Sequence, residues 1–250
     1  MKTFSRHLHM ATVTLITCIS FIVCPSAFAS TQYNAEEEKA TRIRQLAQAN
    51  PDASEDEISA AAIEIAAREG ISVNDALETA SNEAVTAIDS AGPTPSSSSS
   101  SGTSSRFTLG VGKNTGDIFY TQASTSSFNH GHVGIYDTTS TIIEAPGLNQ
   151  KSHKIQASAV RVSKGAVKQL VRTKQYLRDA AAANARHYLG RDYNSVFFNN
   201  KNQNGKMNCS QLVWAAYYYG PGIDLDSNGG LGVYPTDIRD SPRTQTYQIF

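Results

Sequence analysis

Six consecutive serines, Ser96–Ser101, preceded by Pro93 and Pro95, cut this chain in two. Such a stretch has almost no apolar surface to bury and behaves as a flexible, protease-sensitive connector. Folded structure is therefore expected on either side of a linker at 90–105. The two sides differ in charge. The whole chain has a formal net charge of +0, yet residues 30–105 hold thirteen acidic and four basic side chains, and 106–250 hold nine acidic and sixteen basic. A dispersed basic excess favours anionic envelope polymers or lipid head groups as neighbours, and equally the chain's own acidic arm. No phosphate-binding glycine loop or nucleic-acid signature accompanies it, so no nucleic-acid partner is expected.

Residues 1–29 have the pattern of a secretory signal peptide. Lys2 and Arg6 form a positive n-region, Ala11 to Val23 an apolar core, and Ala27-Phe28-Ala29 an A-x-A cleavage site. The apolar run is shorter than the ~18 residues that span a bilayer. The expected mature protein starts near Ser30 and is secreted or held in the cell envelope.

Residues 30–89 are helical by pattern. Ser54-Glu55-Asp56-Glu57 is a capping box that opens a helix through Ile58, Ala61, Ile65 and Ala66 and stops at Gly70. A further helix starts at Ser72 or Asn74. The Ala-rich faces offer a marginal core, as in an interaction segment or a pro-segment, and no catalytic constellation lies there.

Beyond the linker the pattern changes. Ile118-Phe119-Tyr120, His132 to Tyr136 and Thr141 to Ala145 alternate as strands, and another strand is expected within 159–171. Thr173 to Leu189 reads as a helix with Tyr176, Leu177, Ala180, Ala183, Ala185 and Tyr188 inward. A polar loop then delivers Cys209 to an apolar helix ending at Gly220. Strands followed by helices indicate an α+β domain around an antiparallel sheet.

Of three cysteines, Cys18 and Cys24 lie in the leader, which leaves Cys209 as a lone thiol. It is either a buried small hydrophobe or a nucleophile. A helix N-terminus favours the thiolate, and a neighbouring imidazole would complete its activation. Mature histidines are His130, His132, His153 and His187. His132 opens a strand, which holds a side chain rigidly. His130 and His153 read as parts of looser segments, and His187 as a surface or capping group. Glu144, the lone glutamate of 106–250, sits one strand over from His132 and is suited to accept the Nδ1–H that fixes the imidazole's tautomer.

Gly-Asp-Ile-Phe-Tyr (116–120), His-Val-Gly-Ile-Tyr (132–136), Ile-Ile-Glu-Ala (142–145) and Asn-Cys-Ser-Gln-Leu-Val (208–213) together resemble the motifs of NlpC/P60 papain-like cysteine peptidases. The cysteine follows the histidine strand rather than preceding it, as in the circularly permuted YiiX/YebB-like branch. Val-Tyr-Pro-Thr-Asp-Ile (233–238) is similar to that branch's segment after the cysteine helix, so the resemblance covers roughly 115–242. It implies a permuted NlpC/P60 domain over 106–250, with Cys209 as nucleophile, His132 as base and Glu144 as orienting residue. Around the oxyanion and substrate it implies Tyr193, Asn208 and Ser210. Two departures bear on substrate. Neutral Asn208 stands where wall peptidases often carry an aspartate that recognises a free amine, and Gln211 replaces a glycine.

Three functions fit these residues. The first is a secreted thiol hydrolase that cleaves an amide bond, on cell-wall peptide. The second is a lipid acyl hydrolase or acyltransferase, with Val196-Phe197-Phe198 and Tyr217-Tyr218-Tyr219 lining an apolar pocket. The third is a non-catalytic envelope-binding module. No cofactor or metal is expected: one cysteine and His130-Gly131-His132 do not make a zinc site, and Asp224 to Gly229 reads as a turn rather than a calcium loop. The charge split suits an intramolecular contact in which the acidic helices mask the basic domain until the linker is cut.

Overall fold

The structure, a computed structural model, describes residues 25–92, 106–125 and 128–250. Residues 1–24 of the expected leader and 93–105 of the expected linker lie outside the described residues. The chain divides into two compact units, Met1–Glu37 and Glu38–Phe250, and the site lies in the second.

The first three helices are α1 (Pro25–Ala49), α2 (Glu55–Glu69) and α3 (Val73–Ala91). Ser54 caps α2 in the expected box with Glu57, and Gly70 ends it in the left-handed conformation at φ 69°. Ser72, not Asn74, caps α3 in a second box with Asp75. Such reciprocal caps satisfy N–H groups that the helix itself leaves unpaired. The helix expected to give way to linker at 90 continues to Ala91.

The main sheet has six strands: β1 (Ile118–Thr121), β2 (His132–Thr138), β3 (Thr141–Glu144), β4 (His153–Gln156), β5 (Val167–Val171) and β6 (Thr244–Ile249). They form one sheet in the order β6-β5-β1-β2-β3-β4, with every pairing antiparallel. The fold is mixed α+β. Helices α4 (Gln175–Ala185), α5 (Cys209–Tyr219) and α6 (Pro235–Arg239) complete it. Because side chains alternate along a strand, Ile118, Tyr120, Val133 and Ile135 share one face and pack with Leu212, Val213 and Ala216 of α5. The other face buries Phe119, Tyr136 and Ile142 in a smaller cluster.

Two expectations change. The α4 helix is shorter than expected and is followed by a 3-10 turn, Arg186–Tyr188. It buries Ala181, Ala182, Ala185 and Tyr188, while Tyr176 and Ala183 are exposed. Facing α5 closely requires small residues, and this rotates the helix away from its bulkier aromatic.

The helical segment, marginal on its own, closes its apolar face onto the rest of the second unit. Ile58, Ile65, Leu77 and Ala80 belong to the same buried cluster as Phe197, Phe198 and Val233. Polar contacts fix the join. Glu83 accepts the N–H groups of Leu231 at 2.5 Å and Gly232 at 3.1 Å. Asn50 accepts the N–H of Phe197 at 3.0 Å, and Asn199 donates to Glu64 at 2.9 Å.

Candidate active site

The order of the sheet builds the site. Ile135 pairs with Ile143, so one further step along this register sets Glu144 beside Gly134, with His132 two residues on and on the same face. Gly134 has no side chain to separate them. A Cβ there would lie 2.5 Å from the ring of Phe119, which instead packs edge-on against His132 at 5.7 Å. His132 Nε2 bonds Glu144 Oε2 at 2.8 Å. The orienting bond was expected at Nδ1; the structure makes it at Nε2, since the ring enters from a neighbouring strand with that nitrogen leading. The sulfur of Cys209 acts on the same imidazole and favours its charged form.

Burial lowers the affinity of His132 for a proton, but the sulfur and the carboxylate outweigh it and push its pKa up to about 10. The ring is thus protonated at neutral pH, between two groups that stabilise its charge. Burial acts on Glu144 in the opposite sense, yet the bond to His132 and the charges of His132 and His153 hold its carboxyl below the ordinary range. His153 is a site residue that sequence reading missed. It lies on β4 opposite Glu144, with its Nε2 3.3 Å from Oε1. The alternation of β4 is weak, since it is an edge strand with polar outward residues.

Cys209 is the first residue of α5, 1% exposed, and is the free cysteine among the described residues. Asn208 is the N-cap. Its Oδ1 accepts the N–H of Gln211 at 2.9 Å, while Gln211 Oε1 returns to the Asn208 N–H at 3.4 Å. Asn200 and Ser210 also donate to that Oδ1, each at 3.2 Å, and Ser210 donates at 2.7 Å to the carbonyl of Val233. Asn208 and Ser210 are buried like Cys209 itself, and the bonds of their side chains hold the start of the helix. The departure at Gln211 has the same explanation, because the N3 position of the box needs a side chain that accepts.

Tyr193 lies close enough to Cys209 to feel its charge. Burial first, then the charges of the sulfur and Asp52, hold its hydroxyl well above its ordinary pKa, so it remains an O–H donor. Tyr120 lies within the electrostatic reach of Arg239, Asp240 and Cys209, and its buried hydroxyl has no hydrogen-bond partner among the described residues. Its strand read as core, which hid this hydroxyl in the sequence. Tyr120 packs against Gly131, where φ is 72° and a Cβ would meet the ring at 2.5 Å. The guanidinium of Arg239 lies 4.7 Å from the other side of that ring. On the remaining wall His130, Phe197 and Tyr234 form a stack, with ring separations of 5.5 and 5.7 Å.

The other expected residues lie elsewhere. His187 is exposed. Phe198 is core, and Tyr217 bonds the carbonyl of Gly116. Tyr218 and Tyr219 stand with Trp214 beside a separate cavity of ≈ 500 Å³. Asp224 accepts the indole N–H of Trp214 and the N–H of Asp226, both at 2.9 Å, in the expected turn. No cluster of three or more His, Cys, Asp or Glu suited to a metal ion occurs among the described residues. No helix among them is long and apolar enough to cross a membrane.

No protein-family model matches the chain. It is 41% identical over 136 residues to a protein of Bacillus subtilis (strain 168) named "Uncharacterized protein YycO", a match that covers 52% of this chain. The chain spans about half the length of that relative, 54%. Among solved structures it is similar to the metalloprotein yiiX from Escherichia coli O157:H7, at TM-score 0.42 and 17% identity, over 55% of this chain and 97% of that one.

Proposed function

We propose that this protein is a thiol hydrolase of the circularly permuted NlpC/P60 type, YiiX-like, that cleaves an amide bond. The observation that carries the reading is His132, part-buried, with Glu144 bonded to its Nε2 at 2.8 Å and the sulfur of Cys209 near enough to favour its charged form. In this mechanism the sulfur, at the positive end of α5, attacks the carbonyl carbon. Its N–H and the hydroxyl of Tyr193 stabilise the oxyanion. His132 gives its proton to the departing amine and then takes one from the water that releases the acyl group. Glu144 holds the ring in place throughout.

The substrate we favour is a peptide of the cell wall, reached by an exported protein whose basic domain is drawn to anionic envelope polymers. Purified wall fragments incubated with wild type and Cys209→Ala, and read by mass spectrometry, provide the test. New amine and carboxyl termini should appear with wild type alone. Equal product from the variant would dispose of the proposal. The apolar wall of Phe197, Tyr234 and Tyr120 also suits an acyl chain. A lipid amide or ester belongs in the same assay, and lipid turnover without wall cleavage would make the acyl-hydrolase reading the correct one.

A further inference from the structure

Tyr218 and Tyr219 end α5 with rings that the core does not use. They are 43% and 41% exposed, whereas Trp214, one turn before Tyr218, is 4% exposed. The indole is fixed by its bond to Asp224, and Tyr218 stacks on it with ring centroids 4.6 Å apart and 17° between the planes. Tyr219 stands nearly perpendicular to both rings, at 85° and 82°. The three form a fixed aromatic corner on the cavity of ≈ 500 Å³, which Arg68 of α2 and Glu83 of α3 also line. That volume falls within the ~300–1,000 Å³ of small-molecule sites. Aromatic area left in water beside such a cavity marks a binding surface.

Charge narrows the ligand. Both basic residues of the lining are already paired, Arg68 with Glu69 at 2.8 Å and Lys201 with Asp226 at 2.6 Å. Neither is free to recruit a phosphate or an anionic lipid head group. The carboxylates are engaged too, Glu83 by the N–H groups of Leu231 and Gly232 and Asp224 by the indole. The cavity thus offers aromatic faces beside polar groups whose charges are met within the protein. A pyranose matches both. Its ring C–H groups, slightly positive, lie on the negative face of an aromatic ring, while the hydroxyls at its edge meet carboxylate lone pairs and guanidinium N–H groups.

We propose that this cavity binds a neutral glycan chain, with a pyranose ring stacked on the corner made by Tyr218 and Tyr219. Helix α5 then carries the nucleophile at its first residue and the sugar platform in its last turn, about 15 Å away along the axis at ~1.5 Å per residue. An extended peptide of about four or five residues covers that distance. The site becomes an anchor for the wall strand whose peptide is cut. That use rests on the hydrolase reading. The binding does not, and it can be measured without turnover.

Trp214 is the single tryptophan of the chain, so its emission reports on the site directly. The full chain carrying Cys209→Ala, used so that no hydrolysis intervenes, is titrated with chitotetraose, a β-1,4 chain of four N-acetylglucosamines. Calorimetry on the same pair runs beside it. A saturable signal with a Kd of about 1 mM or tighter is expected. Tyr218→Ala and Tyr219→Ala should each weaken binding about fivefold or more, while Tyr219→Phe, which keeps the ring, should bind as the parent does. Both rings are exposed, so the variants should keep the parent's melting temperature, and Tyr219→Leu or Tyr218→Leu replaces any that does not. No saturable signal by either method overturns the proposal, as does unchanged affinity in both alanine variants. Phosphatidylglycerol vesicles supply the contrast, and a response to them without one to the sugar would replace the glycan by a lipid surface. Sugar binding without wall cleavage by wild type would refute the hydrolase reading alone. Wall cleavage without sugar binding would refute the glycan site alone.

Discussion

His153 Nε2 stands 3.3 Å from Oε1 of Glu144, the carboxylate whose other oxygen is bonded to His132. Two imidazoles, on the strands either side of β3, therefore share one acid. Loss of His153 leaves the bond to His132 in place but frees the carboxylate to rotate. His153→Ala should lower kcat/KM about three- to tenfold, and Glu144→Gln about a hundredfold or more, as expected for an orienting partner of a general acid–base. Steady-state kinetics on the cleaved wall fragment measures both, and a His153→Ala loss equal to that of His132→Ala would refute this ranking.

The raised pKa of His132 links activity to pH. Turnover that needs the imidazolium should fall as pH rises through about 10. Stability follows with the same sign. A folded pKa above the unfolded value stabilises fully below the unfolded pKa of ~6.5 and loses that contribution as pH climbs toward the folded value. Without the sulfur, burial continues to act on the ring against Glu144 alone, so in Cys209→Ala the His132 pKa should move down. An NMR titration of the His132 ring in both proteins, with urea melts at pH 6 and 10, tests both statements. An unmoved titration in the variant would contradict them.

Asn208 caps α5. Asn208→Ala should cost about 1–2 kcal/mol by urea denaturation and slow alkylation of Cys209, because the first turn of α5 loses its acceptor. The ratio of rates on cationic and neutral substrates should stay where it was. A change in that ratio without a change in stability would return Asn208 to the substrate side.

Glu83 ties α3 to the strand of chain that leads into α6. Glu83→Ala leaves two N–H groups, those of Leu231 and Gly232, without their acceptor, and should destabilise the second unit by about 1–3 kcal/mol. The same variant should slow Cys209 labelling, since the next residue, Val233, accepts the Ser210 hydroxyl beside the nucleophile. Wild-type stability in this variant would mean that the helical segment is held by its apolar face alone.

Much of this was legible in the sequence because the residues carry strong local signals. The strands around Phe119, His132 and Ile143 alternate cleanly, and the helix that begins at Cys209 is bounded by a cap and by Gly220. The edge strands at His153 and Thr244 were not legible. They are largely exposed and polar, and only their partners Glu144 and Val171 define them. The seating of α2 and α3 was invisible for a similar reason, as an alanine face does not say what it will meet. Tyr120 belongs to the site through contacts over a long sequence distance, such as that with Arg239, which no local spacing encodes.

The bond from Glu83 to Leu231 spans 148 residues. A chain is made from its N-terminus at ~5–20 residues per second, so α3 exists for roughly seven to thirty seconds before its partner is synthesised. During that interval α2 and α3 can pack on each other but lack Phe197, Phe198 and Val233, which complete their cluster. Completion of the nucleophile's surroundings is thus among the last events of folding, and the thiol is first held in its working geometry only after nearly the whole chain has been made.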